Sequence, residues 1–78
     1  MSTKKKADRR YVVCVKNRGY QASLERNKIY ALIPDPAVEA DGDLRVVDES
    51  GEDYLFPADC FVAIEVPKAV EASLRKAS

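Results

Sequence analysis

The sequence lacks several residue types on which functional sites commonly depend. It contains no histidine and no tryptophan, only two cysteines and three glycines, and no apolar run that approaches the roughly 18 residues of a membrane-spanning helix. Without histidine, neither Cys14 nor Cys60 has the partners that a zinc tetrad or a nucleophile–base pair requires. The glycines do not form a phosphate-binding loop. We therefore expect no metal site, no cofactor, no contact with a membrane and no enzymatic activity.

The chain start and the two cysteines favour a reducing compartment. Residues 1–10 are charged but lead into only five apolar residues, 11–15, which are too few for the core of a signal peptide. Without such a signal, the cysteines are expected to stay reduced and to pack as small apolar side chains, and a disulfide is the less favoured alternative. We expect a single soluble domain in the cytoplasm, near the lower size limit for a stable core.

Charge is separated along the chain, although the formal total is zero. Residues 1–30 carry nine basic and two acidic side chains, or +7, whereas residues 31–66 carry one basic and ten acidic side chains, or −9. A charge separation of this kind is evidence about binding partners and not about the fold. A nucleic-acid-binding surface would use the basic arm and the first loop: Lys4, Lys5, Lys6, Arg9, Arg10, Lys16 and Arg18, with Arg26 and Lys28 nearby. An oppositely charged protein surface, or complementarity within the molecule, fits the separation equally well.

Hydrophobic patterning predicts five short strands. They are expected at residues 11–15, 29–33, 44–47, 54–56 and within 61–66. Asn27 precedes the second strand and suits a left-handed turn, and residues 34–43 are predicted to be a loop because they contain two prolines and an Asp-Gly pair. Pro57 ends the fourth strand, so residues 57–59 are predicted to form a single 3-10 turn.

The pattern divides the chain into three parts. Residues 1–9 are predicted to be a flexible basic arm, residues 10–66 a small all-β barrel, and residues 67–78 a short C-terminal helix and tail. The helix is indicated by Pro67 at its start and by Val70 and Leu74, which are four residues apart.

Apolar residues occupy both faces of most predicted strands. We assign four of them to the core: Leu44, Val46, Leu55 and Ile64. Val12 and Cys14 belong to the alternate set, with four further residues that we take as candidate partner-binding residues: Tyr30, Leu32, Val47 and Phe61. Because a barrel of this size has one interior, this second set needs a cover. The C-terminal helix is expected to supply part of the cover, and a protein partner or a second copy in a homo-oligomer the rest.

Two segments resemble the Src-homology-3 family. GEDYLFPADCF at residues 51–61 is similar to the hairpin of that family, which leads into Leu-Phe-Pro, a small residue, Asn, Tyr and Val. ASLERNKI at residues 22–29 resembles its diverging turn. The resemblance covers residues 11–64 and implies a small five-stranded Src-homology-3-like barrel, as in a compact bacterial member of the family.

The proline-rich-peptide site of that family does not carry over. Its groove is walled by aromatic rings, which pack on the polyproline helix. In this sequence Cys60 occupies the position of a groove tyrosine, and Asp43 or Leu44 occupies that of the groove tryptophan. The first aromatic motif is replaced by CVKNR at residues 14–18. We therefore expect a non-catalytic interaction module that binds a protein partner or itself, with nucleic-acid binding as the alternative.

Overall fold

Five antiparallel strands form one sheet in the computed structural model, which describes the backbone of residues 10–77 and the side chains of residues 10–75. The strands are β1 (Arg10–Cys14), β2 (Ile29–Ile33), β3 (Asp43–Val47), β4 (Asp53–Pro57) and β5 (Phe61–Ile64). Their order in the sheet is β4-β3-β2-β1-β5. The chain is therefore mostly β, as expected, and the predicted positions of all five strands are confirmed to within a residue or two. The basic arm at residues 1–9, with Lys4, Lys5, Lys6 and Arg9, lies outside the described residues.

The predicted turns adopt the expected backbone conformations. Asn27 has a φ of 70°, in the left-handed region that asparagine tolerates better than most residues. Gly42 of the Asp-Gly pair has a φ of 87°, which favours glycine because a Cβ is strained there. Pro57 is the last residue of β4, and the 3-10 turn follows at Ala58–Cys60. The Ala58 N–H donates to the Gly42 carbonyl over 2.9 Å, which fixes this corner against the start of β3.

A short helix, α1 (Pro36–Ala40), occupies the segment that the sequence predicts as a loop. Asp35 caps it by accepting a hydrogen bond from the Val38 N–H, and the Glu39 carboxylate accepts one from the Asp35 N–H in return. The prediction of a loop is wrong at these residues because a proline does not always interrupt a helix. At the first helical position proline has the required φ and no N–H that needs a partner.

One face of the sheet builds the core together with the β1–β2 loop. Its buried residues are Val12, Cys14, Tyr30, Leu32, Val46, Phe56 and Phe61 from the strands, with Leu24 and Cys60 from the connections. The Phe56 ring meets the Tyr20 ring edge-on at 5.4 Å between centroids and the Phe61 ring at 6.1 Å. These arrangements are the favourable ones for aromatic pairs.

The predicted core is partly wrong. Val46 is fully buried and Leu44 packs against the core, but Leu55 is 49% exposed and Ile64 is only half-buried on the opposite face. The register explains the error, because Leu44 pairs with Phe56 and therefore shares its face with Phe56 rather than with Leu55. Both faces are apolar in sequence, so alternation alone did not indicate which one points inward.

A second helix, α2 (Lys68–Ala77), ends the described chain, as predicted. The Glu71 N–H donates to the Pro67 carbonyl over 2.9 Å, so the helix begins directly after that proline. Within residues 10–77, no helix has the length and apolar character needed to cross a membrane.

Candidate functional site

Three of the four predicted partner-binding residues lie in the core. Tyr30, Leu32 and Phe61 are 5%, 6% and 7% exposed, so their side chains cannot form a contact surface in the folded chain. Val47 alone lies on the opposite face, where it is half-buried. The prediction of two apolar faces was sound, but the residues were assigned to the wrong ones. The core contains Tyr30, Leu32 and Phe61, and the outer face contains Leu55 and Ile64, so these five residues lie on the faces opposite to the predicted ones.

The opposite face of the sheet, here called the outer face, is also largely apolar. It carries Tyr11, Val13, Ile29, Ala31, Ile33, Arg45, Val47, Leu55, Val62 and Ile64, which cross-strand pairing and alternation place together. Three of these side chains are substantially exposed: Ile33 at 39%, Leu55 at 49% and Val62 at 51%. Exposed apolar residues that share one face are typical of interaction surfaces.

Helix α2 reaches the outer face through Leu74. Leu74 lines the same cleft as Tyr11, Ala31 and Val47, and Tyr11 is only 5% exposed. The Tyr11 hydroxyl is buried without a hydrogen-bond partner among the described residues. Val70, the other apolar residue predicted to cover the sheet, remains 38% exposed. The helix therefore leaves the two ends of the outer face open.

One open end contains an ion-pair network between apolar side chains. Arg45 pairs with Ile33 on β2 and with Leu55 on β4. Its guanidinium bonds the Asp35 and Asp53 carboxylates, each at 2.9 Å. The hydrogen bond from Arg45 lowers the pKa of Asp35 below its ordinary value. The charge of Arg45 is thus used within the molecule, and Ile33 and Leu55 remain as its exposed apolar neighbours.

A second network fastens the β1–β2 loop to the β3–β4 turn. The Tyr30 hydroxyl donates to the Glu49 carboxylate and accepts from the Glu25 N–H at 2.7 Å. Lys28 Nζ lies 2.7 Å from the same carboxylate. Burial, followed by the hydrogen bond to Glu49, raises the pKa of Tyr30, and the hydrogen bond from Lys28 lowers the pKa of Glu49. This network therefore gives the long loop a defined conformation.

The predicted nucleic-acid-binding residues are separated by the length of β1. Arg10 begins the strand, whereas Lys16 and Arg18 follow its other end. Six residues at about 3.3 Å each place Arg10 and Lys16 roughly 20 Å apart. Lys16 and Arg18 line one cleft with Arg26, and Lys28 is paired with Glu49. The structure thus groups the loop cations and does not group Arg10 with them.

The cysteines are free and lie side by side in the core. The Val15 N–H donates to the Cys60 carbonyl over 2.7 Å, which places Cys60 beside the end of β1. Burial raises the pKa of both thiols. Among residues 10–75, no three cysteine or carboxylate side chains are grouped so that they could hold a metal ion.

Three comparisons with known proteins provide no assignment. No protein-family model, no curated protein and no solved structure matches the chain. The resemblance to Src-homology-3 domains therefore remains an expectation from sequence motifs.

Proposed function

We propose that the chain is a non-catalytic interaction domain that binds a protein partner, or a second copy of itself, through the open ends of the outer face. The observation that carries this proposal is the exposure of Ile33, Leu55 and Val62 on the apolar outer face. Fully burying such a side chain contributes about 1.5–3 kcal/mol, so covering the exposed half of each contributes roughly 1 kcal/mol. A partner that covers all three side chains therefore gains part of the binding free energy that a micromolar dissociation constant requires.

We also propose that the chain is a small barrel of the Src-homology-3 type and acts in the cytoplasm of a bacterium. Its support is the strand order, in which β1 lies between β2 and β5, and the 3-10 turn that joins β4 to β5 after Leu55, Phe56 and Pro57. The proline-rich-peptide activity of that family is not part of the proposal. Cys60, at the position of a groove tyrosine, is 6% exposed and offers no ring to a ligand.

Two measurements test the proposal. One is an affinity pull-down from a native lysate, with and without nuclease, and the other is the mass of the protein in solution. Leu55→Asp and Val62→Asp should each abolish association, because they would bury an unpaired charge in the interface. Tyr54→Asp is the matched control, since Tyr54 is 51% exposed but pairs with Val46 and thus lies on the other face of the sheet. Urea unfolding should verify that all three variants fold. Association that survives both outer-face substitutions would contradict the proposal.

A second candidate function, nucleic-acid binding, is favoured by the grouping of Lys16, Arg18 and Arg26 in one cleft. It would also use the arm at residues 1–9 and Arg10. In that case, log affinity should fall linearly with log salt, by about 0.9 per phosphate neutralised on duplex DNA. Retention that is sensitive to nuclease and lost on deletion of residues 1–9 would support this candidate over the protein interface.

A further inference from the structure

The β1–β2 loop carries a cleft whose charged lining, among the residues that the structure describes, is entirely basic. This loop cleft is lined by Val15, Lys16, Asn17, Arg18, Gln21 and Arg26. Its polar side chains are three cations and two amides, and Val15, 39% exposed, is its apolar part. A cleft of this composition attracts an anionic group and provides amides that can hydrogen-bond to it.

The cations of the loop cleft are not used elsewhere in the described part of the chain. Within residues 10–75, Lys16, Arg18 and Arg26 form no ion pair and no side-chain hydrogen bond. By contrast, Lys28 bonds Glu49, and Arg45 bonds two aspartates. Among the described residues, Lys28 and Arg45 are therefore paired with carboxylates, whereas the three cations of the loop cleft are not.

Hydrogen bonds hold the backbone of the loop cleft in one conformation. The Val15 and Lys16 N–H groups both donate to the Cys60 carbonyl, at 2.7 and 3.3 Å. Asn17 Nδ2 donates to the carbonyl of Leu24, which is fully buried. Because the loop is ordered before a ligand arrives, binding loses less conformational entropy than it would on a mobile loop.

The loop cleft begins at Val15, directly after β1. Val15 continues the alternation of β1 beyond Val13, which pairs with Val62, and Val62 is 51% exposed. A ligand that fills the cleft therefore reaches apolar side chains as well as cations. We propose that the loop cleft binds an acidic peptide segment of a partner protein that also carries apolar side chains. This proposal rests on the protein-binding function above and specifies the chemistry of the partner.

Two observations favour an acidic peptide over a nucleic acid. No aromatic ring of the described residues lines the loop cleft, and the Tyr20 ring nearby packs against Phe56, so these residues offer bases no stacking platform. Residues 31–66 carry a net charge of −9, which repels a long polyanion more than a short acidic segment.

The experiment is a chemical-shift titration of the full chain with three synthetic peptides of about ten residues. The probe alternates glutamate and leucine, and the controls replace either glutamate by glutamine or leucine by serine. The probe should shift the amide signals of Val15, Lys16, Arg18, Arg26 and Val62 in a saturable manner, and both controls should bind more weakly. A single-stranded RNA of equal charge is titrated in parallel.

Charge-removing variants test the assignment to individual residues. Arg18→Gln and Arg26→Gln should each weaken binding of the probe about twofold to fivefold, and together about tenfold. Lys68→Gln is the matched control, because Lys68 is an exposed cation on α2 outside the loop cleft. The two arginine substitutions replace exposed side chains and leave the core unchanged.

Several results would overturn the inference. The first is that the probe leaves the loop signals unmoved, or binds the double variant as tightly as the original chain. The second is that the RNA binds at these residues more tightly than the probe does. The third is that the loop signals shift on dilution without any probe, which would identify the occupant as a second copy. If the loop cleft fails while Leu55→Asp still abolishes association, the inference is wrong but the proposed function stands.

Discussion

Leu55 and Phe56 are adjacent on β4 but lie on opposite faces, so substituting each in turn measures which face is the core. Phe56 is 4% exposed and its ring contacts those of Tyr20 and Phe61. Phe56→Ala should cost about 3–5 kcal/mol, including the cavity and the lost ring contacts. Since a domain of this length has a total stability of roughly 4–12 kcal/mol, this variant approaches the unfolding threshold.

The cost of Leu55→Ala is much smaller on the same reasoning. Leu55 is 49% exposed, so only about half of the 1.5–3 kcal/mol available from a fully buried leucine is at stake. Alanine retains part of that contact, and removing an exposed side chain leaves no enclosed cavity. We expect a loss of about 1 kcal/mol or less. Phe56→Leu, which keeps much of the volume but removes both ring pairs, should cost about 1–3 kcal/mol and stay measurable.

Urea unfolding followed by circular dichroism gives these free energies directly, with similar m-values expected for all variants. Because the outer face is proposed to associate, each curve is recorded at two protein concentrations, and a midpoint that rises with concentration identifies stabilisation by self-association. If Leu55→Ala cost 2 kcal/mol or more and exceeded the cost of Phe56→Leu, the assignment of faces and the interface built on it would both be refuted.

Three further predictions concern groups that hold the fold. Tyr30→Phe removes two hydrogen bonds and leaves the Glu25 N–H without its partner, so urea unfolding should show a loss of about 1–3 kcal/mol, and a loss near zero would contradict the network. The native pKa of Glu49 is lowered, so its stabilising effect is complete above the ordinary value of 4.5 and is lost as pH falls through the native value. The stability advantage of the original chain over Glu49→Gln should accordingly shrink below about pH 4.5, and an advantage that grew there would reverse the sign of the argument. Cys14 and Cys60 should react with a thiol reagent only at the rate at which the chain unfolds, and rapid labelling in native buffer would show that they are accessible.

Local signals in the sequence were sufficient to place the strands and turns. The bounds of β2, the left-handed Asn27 and the 3-10 turn after β4 each depend on a few adjacent residues. The first two are found where they were predicted, and the turn lies one residue later, at Ala58–Cys60. Helix α1 is not predicted, because a proline can either end or begin a helix. Asp35, which caps α1, lies in the segment predicted as a loop. Local preference therefore accounts for where the elements are.

The orientation of the strands could not be predicted in the same way. Both faces of β1 are apolar, and whether Val12 or Val13 points inward depends on how β1 pairs with β2 and β5. The contact between Tyr30 and Glu49 joins residues 19 positions apart, and no local pattern indicates it. The candidate site shows the consequence: the need for a cover was predicted, but the residues that provide the exposed surface were not.

Tyr30 connects the stability of the core to the shape of the loop cleft. Its ring lies in the core, and its hydroxyl accepts from the N–H of Glu25, the residue that precedes Arg26. A loss of that hydrogen bond leaves the charge of the cleft unchanged but allows its cations more conformational freedom, which binding must then restrict. If the loop cleft binds the peptide proposed above, its affinity should therefore depend on Tyr30, which lies outside the cleft. The core contributes no contact surface, but through Tyr30 it restrains the loop that carries Lys16, Arg18 and Arg26.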